Sequence, residues 1–116
     1  MKVLMVLNEA PYGSERCYNG LRLANDLLKK AEGLDLTVFL MGDATACAKK
    51  GQNTPGGYYN LERMLKPVVR KGHVLLCGSC MDARALGDEE MLEGCRRSSL
   101  ETLTQLTLEA DKTLVF

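Results

Sequence analysis

The segment His73-Val74-Leu75-Leu76-Cys77-Gly78-Ser79-Cys80-Met81-Asp82-Ala83-Arg84 decides how this chain folds. Its first part, His73 to Cys77, is a short continuous apolar run closed by a turn signal. Such a run reads as a strand covered on both faces, as in a parallel sheet. Gly78-Ser79 makes the turn, and Ser79 is suited to cap a helix that starts at Cys80 and runs to Leu86.

The same strand-to-helix change recurs outward from this segment. Val3 to Leu7 is a second buried strand. The loop Asn8-Glu9-Ala10-Pro11-Tyr12-Gly13 follows it, and Ser14 is placed to cap a helix with Glu15 in its first turn. Leu21, Ala24, Leu27, Leu28 and Ala31 give that helix its apolar face, and Gly33 ends it. Leu34 to Met41 is a strand, followed by a short helical stretch over Ala44 to Lys50. Gly51 to Gly57 reads as loop. Asn60 then caps a helix with the stripe Leu61, Met64, Leu65, Val68 and Val69, interrupted at Pro67.

Beyond the central segment, Asp88 to Gly94 has room for one or two helical turns, and Cys95 to Arg97 for a short strand. Ser98 or Ser99 caps the last helix, with Ser98 and Glu101 in capping-box spacing. Leu100, Leu103, Leu106 and Ala110 are its expected inner face, and Lys112 to Phe116 is the closing strand. Strands alternating with helices imply right-handed crossovers and a mostly parallel sheet with helices on both faces. Sites in such sheets form beyond the carboxyl ends of the strands.

Composition narrows the function classes. The 116 residues suit one domain, residues 1–116, and 46% apolar against 26% charged is an ordinary globular balance. Fifteen basic residues cancel fifteen acidic ones, so no charge field draws nucleic acid or an anionic membrane. The first apolar run is too short for a signal peptide, and none approaches a membrane span. A cytoplasmic protein is expected. Five cysteines, Cys17, Cys47, Cys77, Cys80 and Cys95, are an odd count that argues for free thiols rather than a complete disulfide framework.

Cys80 has the best chemical placement. At a helix start its sulfur lies near unpaired N–H groups, which favour thiolate, and Arg84 follows one turn on. The competing reading is a buried structural thiol. Cys77 and Cys80 form a C-x-x-C pair, but Cys77 ends a strand. It reads as core packing, with a resolving-thiol role as the lesser alternative; a disulfide would require it to face the turn. Tyr12 and Glu15 are candidates to line the same cleft, and the competing reading there is a plain strand-to-helix loop. Cys17 and Cys47 fall along the same edge. With no second C-x-x-C and the single His73 at the far edge, neither a metal site nor a cofactor is expected.

Several stretches together resemble a known family. They are Asn8-x-x-Pro11-Tyr12-Gly13-Ser14-Glu15, Phe39-Leu40-Met41-Gly42-Asp43-Ala44, and Gly51-Gln52 ahead of Gly57-Tyr58-Tyr59-Asn60. Leu76-Cys77-x-x-Cys80-x-Asp82-x-Arg84 and Thr107-Leu108-x-Ala110-Asp111-Lys112-x-Leu114-x-Phe116 complete the set. Their order and spacing resemble the DsrE/DsrF-like (DsrEFH-like) family, most closely its YchN-like branch. The resemblance implies a three-layer α/β/α domain with a parallel sheet of about five strands, the last beside the first. It also implies homo-oligomers, trimers or hexamers, and in several members a persulfide on a cysteine matching Cys80, with Arg84 the matching basic residue. Ala85-Leu86 stands where relay members commonly have glycine close behind the arginine.

The leading expectation is therefore a small sulfur-relay protein, a persulfide carrier or sulfurtransferase-like protein, with Cys80 as the accepting thiol and a donor or acceptor protein as partner. Cys77, Ser79, Tyr12 and Glu15 are its accessory candidates. A non-catalytic oligomeric scaffold with structural cysteines is the alternative from another class. A dithiol redox protein using Cys77 and Cys80 is the third.

Overall fold

The computed structural model describes all 116 residues. Five strands form one parallel sheet: β1 (Lys2–Leu7), β2 (Asp35–Leu40), β3 (His73–Cys77), β4 (Cys95–Ser98) and β5 (Lys112–Val115). Their order across the sheet is β4-β3-β2-β1-β5. Helix α1 (Arg16–Lys30) joins β1 to β2, and α2 (Leu61–Lys71) leads into β3. The short α3 (Gly78–Ala83) follows β3 directly, and α4 (Leu100–Glu109) leads into β5. The architecture is the expected three-layer α/β/α arrangement.

Register explains the two layers of core. Successive side chains of a strand point to opposite faces. Val3, Met5 and Leu7 of β1, Leu36, Val38 and Leu40 of β2, and Val74 and Leu76 of β3 join the main core with α1 and α2. Leu4, Phe39 and Cys77 form a second, smaller cluster against Leu103, Leu106 and Ala110. The first layer is deep; the second is covered by one helix with no buried residue. The chain steps from β1 through β4 in one direction and then returns to β5 beside β1. That reversal accounts for α4 lying on the opposite face from α1 and α2.

Most expected elements hold, with shifted ends. Asn60 caps α2, its side chain accepting from the Arg63 N–H at 3.0 Å. The helical stretch after β2 is a 3-10 segment, Gly42–Ala48, and the Gly51–Gly57 loop contains a 3-10 turn at Pro55–Gly57. Helix α1 begins one residue late, with Glu15 in the capping position, while the Ser14 hydroxyl accepts from the Arg16 N–H. Ser99, not Ser98, caps α4 by accepting from Thr102. Leu100, expected inside, is 70% exposed, because it lies at the start of a helix that touches the sheet only through its middle and end. No helix is long and apolar enough to cross a membrane.

Candidate functional site

The carboxyl end of β3 is where the sequence placed the chemistry. The helix after it starts two residues earlier than expected. Gly78 is its first residue, and Cys77, not Ser79, is its cap: the Cys77 sulfur accepts from the Cys80 N–H at 3.3 Å. Cys80 is therefore the third helical residue rather than the first. The reason is backbone geometry: Cys77 is still extended (φ −61°, ψ 111°), and the helix begins immediately behind it.

Cys77 does face the turn. Residues 73, 75 and 77 share one face of β3, which puts Cys77 on the α4 side beside Phe39. The first turn of α3 brings Cys80 over it, with Cα atoms 5.2 Å apart, and the two are joined in a disulfide. Cys77 is thus both core packing and the bonded partner of Cys80. It is nearly buried, at 6% exposure, whereas Cys80 is half-buried, packed against the same small cluster. Ser79 serves the pair rather than the helix end: its Oγ lies 3.4 Å from the Cys77 sulfur.

Arg84 reaches back one turn, but to the backbone. Its Nη1 donates to the Cys80 carbonyl at 3.0 Å, and its Nε donates to Asp43 Oδ1 at 2.7 Å. Its charge is therefore shared with a carboxylate from the 3-10 segment after β2. The end of α3 explains why it points this way. The Leu86 N–H bonds to the Met81 carbonyl and the Ala85 N–H to the Asp82 carbonyl. That is a Schellman ending, and its left-handed position is held by Ala85 (φ 54°) where glycine is usual.

A second arginine, not anticipated, clasps the same turn. Arg97 of β4 donates from Nη1 to the Gly78 carbonyl and to Asp82 Oδ1, both at 3.0 Å, and from Nε to Asp88 Oδ1 at 2.9 Å. The hydrogen bonds to Asp88 and then Asp82 hold its guanidinium above its ordinary pKa. Asp82 of α3 is thus held as an ion-pair partner of Arg97. The signal was the parallel pairing of a short strand to β3, which sets Arg97 opposite Leu76, one residue before the turn.

Tyr12 and Glu15 go elsewhere. The Tyr12 hydroxyl donates to Gln52 Oε1 and accepts from the Leu61 N–H, while Glu15 accepts from Tyr59. Both brace the 51–60 loop, and neither makes a hydrogen bond to the Cys77–Cys80 pair. Gln52 is the centre of that brace, donating to the carbonyls of Cys47 and Lys49.

Cys17 and Cys47 meet each other in the main core, both fully buried. The Cys17 thiol donates to the Glu9 carbonyl at 3.0 Å. The hydrogen bond to Cys17, and burial after it, push the Cys47 thiol up. Burial alone pushes Cys95 up to about 12. No three His, Cys, Asp or Glu side chains converge closely enough to hold a metal ion.

Comparison with known proteins agrees with this architecture. The model of the DsrE/DsrF-like family matches residues 1–116. The protein YchN of Escherichia coli K12 is 41% identical over 99% of this chain and 98% of its own length. The uncharacterised protein MJ0989 of Methanocaldococcus jannaschii is 36% identical over the full length of both. The crystal structure of E. coli YchN superposes with a TM-score of 0.95, covering 100% of this chain and 99% of that one at 40% identity. MTH1491 of Methanobacterium thermoautotrophicum, a protein of unknown function, shares the fold at a TM-score of 0.79 and 12% identity, covering 99% of this chain and 98% of its own.

Proposed function

Because the chain belongs to the DsrE/DsrF-like family, a group related to sulfur relay, we propose that it is a sulfur carrier with Cys80 as the accepting thiol. The observation that carries this reading is Cys80 itself, a half-buried residue just past the carboxyl end of β3, packed against the smaller core cluster. In the reduced chain the Cys80 thiolate attacks the outer sulfur of a donor persulfide. The donor leaves as a thiolate, and the sulfane sulfur stays on Cys80 as a persulfide, ready for an acceptor thiol. Arg84 and Arg97 fix the turn through the carbonyls of Cys80 and Gly78. They act as positioning residues. Such chemistry belongs in the reducing cytoplasm, where the thiol is regenerated.

The test is mass spectrometry of the reduced chain after exposure to a persulfide donor. One added sulfur is expected in samples quenched immediately after mixing, and none in Cys80→Ser. An adduct undiminished by that substitution, or none on any form of the chain, overturns the reading.

Self-association belongs to the same proposal. No residue of α4 is buried, and Leu100 and Leu108 lie 70% and 78% exposed, with Val115 of the edge strand β5 at 66%. A second copy of the chain covers this thin side of the sheet, in a trimer or hexamer. Sedimentation at micromolar concentration should show the assembly, and a stable monomer would contradict it.

A further inference from the structure

We propose that Cys77 is a resolving thiol that discharges the Cys80 persulfide as hydrosulfide, so that the chain can act as a reductive outlet for sulfane sulfur as well as a carrier. This rests on the carrier reading of Cys80. Three observations support it. The two sulfurs lie within bonding reach, on Cα atoms 5.2 Å apart. Two hydrogen-bonding groups, the Cys80 N–H and the Ser79 hydroxyl, converge on the Cys77 sulfur at 3.3 and 3.4 Å, and both can donate to a thiolate there. Exposure divides the labour: the half-buried Cys80 can meet a donor, while the nearly buried Cys77 meets only Cys80.

The step balances. The Cys77 thiolate attacks the inner, Cys80 sulfur of the persulfide. The Cys77–Cys80 bond forms, the bond to the outer sulfur breaks, and its electron pair leaves with that sulfur as HS⁻. The sulfane sulfur is reduced to sulfide, and the two cysteine sulfurs are oxidised to the disulfide. A cellular dithiol then returns the pair to thiols and is itself oxidised to a disulfide. The disulfide of the structure is the end state of this discharge.

The sequence of the pair also explains why transfer to a partner and discharge compete. An acceptor thiol attacks the outer sulfur from solvent, whereas Cys77 attacks the inner one from the core side. Whichever is faster decides whether sulfur is passed on or released.

The test uses the full-length chain, reduced with a dithiol and desalted, then given one equivalent of glutathione persulfide. Wild type should release one hydrosulfide per chain and end as the Cys77–Cys80 disulfide. Cys77→Ser should retain the added sulfur on Cys80 and release hydrosulfide at least roughly tenfold more slowly. Cys77→Ala, read beside circular dichroism of both variants, guards against a folding artefact, and Ser79→Ala should slow release. Hydrosulfide release from folded Cys77 variants at the wild-type rate overturns the proposal, as does a lasting persulfide on wild type. No adduct on Cys77→Ser or Cys77→Ala overturns the carrier reading instead.

Discussion

Arg84 Nε sits 2.7 Å from Asp43 Oδ1, tying the end of α3 to the 3-10 segment that follows β2. The guanidinium is thereby held over the Cys80 backbone while part of its charge is neutralised. Both side chains are partly exposed, so the pair contributes at most about 1 kcal/mol to stability. Asp43→Asn should therefore leave the urea midpoint almost unchanged. It should also raise the rate at which iodoacetamide alkylates Cys80 of the reduced chain at neutral pH, because more positive charge is then free to favour thiolate. Arg84→Gln should lower that rate. Equal rates in wild type and both variants would show that the arginine acts only on the backbone.

Ala85 adopts a left-handed conformation that an L side chain resists by roughly 1–2 kcal/mol. Part of the gain from removing its Cβ is offset by the greater freedom of glycine in the unfolded chain. Ala85→Gly should therefore stabilise the protein by about 0.5–1 kcal/mol. Urea denaturation of the two chains checks this, and a destabilised variant would contradict the Schellman assignment.

Gly72 passes the chain from α2 into β3. A Cβ there would sit 2.6 Å from the Leu36 carbonyl oxygen, a backbone atom of β2 that cannot swing aside. Gly72→Ala should cost about 1–3 kcal/mol, and thermal unfolding would show it as a lowered Tm.

Cys95 links stability to pH in a defined sense. Its thiol has an ordinary value of 9.0 and is pushed up to about 12 by burial. Above pH 9 the unfolded chain sheds this proton while the folded chain keeps it. Stability is therefore full below that point and falls as pH rises toward 12. Cys95→Ala should flatten part of this alkaline slope in urea titrations. An unchanged slope would place the Cys95 sulfur in water.

Much of the fold was legible because apolar periodicity is a local signal. His73–Cys77 and the Leu61–Val69 stripe stand as read. The site was less legible because its decisive contacts are non-local. Cys77 looked like plain core, and its approach to Cys80 depends on which face of β3 it occupies, set by pairing with β2. Arg97 carried no signal in the polar string Cys95-Arg96-Arg97-Ser98 until that strand was seen to pair with β3. Tyr12 and Glu15 stood close to a strand end in sequence, but the Gln52 loop captures Tyr12 and Tyr59 engages Glu15.

The pairing of β1 with β5 has a bearing on biosynthesis. The first strand is made early, yet one of its edges finds its partner only in residues 112–115, more than a hundred positions later; the Asn8 amide then closes on the Phe116 carbonyl. During translation that edge offers bare N–H and C=O groups to any extended peptide nearby. Contacts so distant in sequence also form slowly. Until residues 112–115 arrive, one flank of the sheet therefore stays open to mispairing.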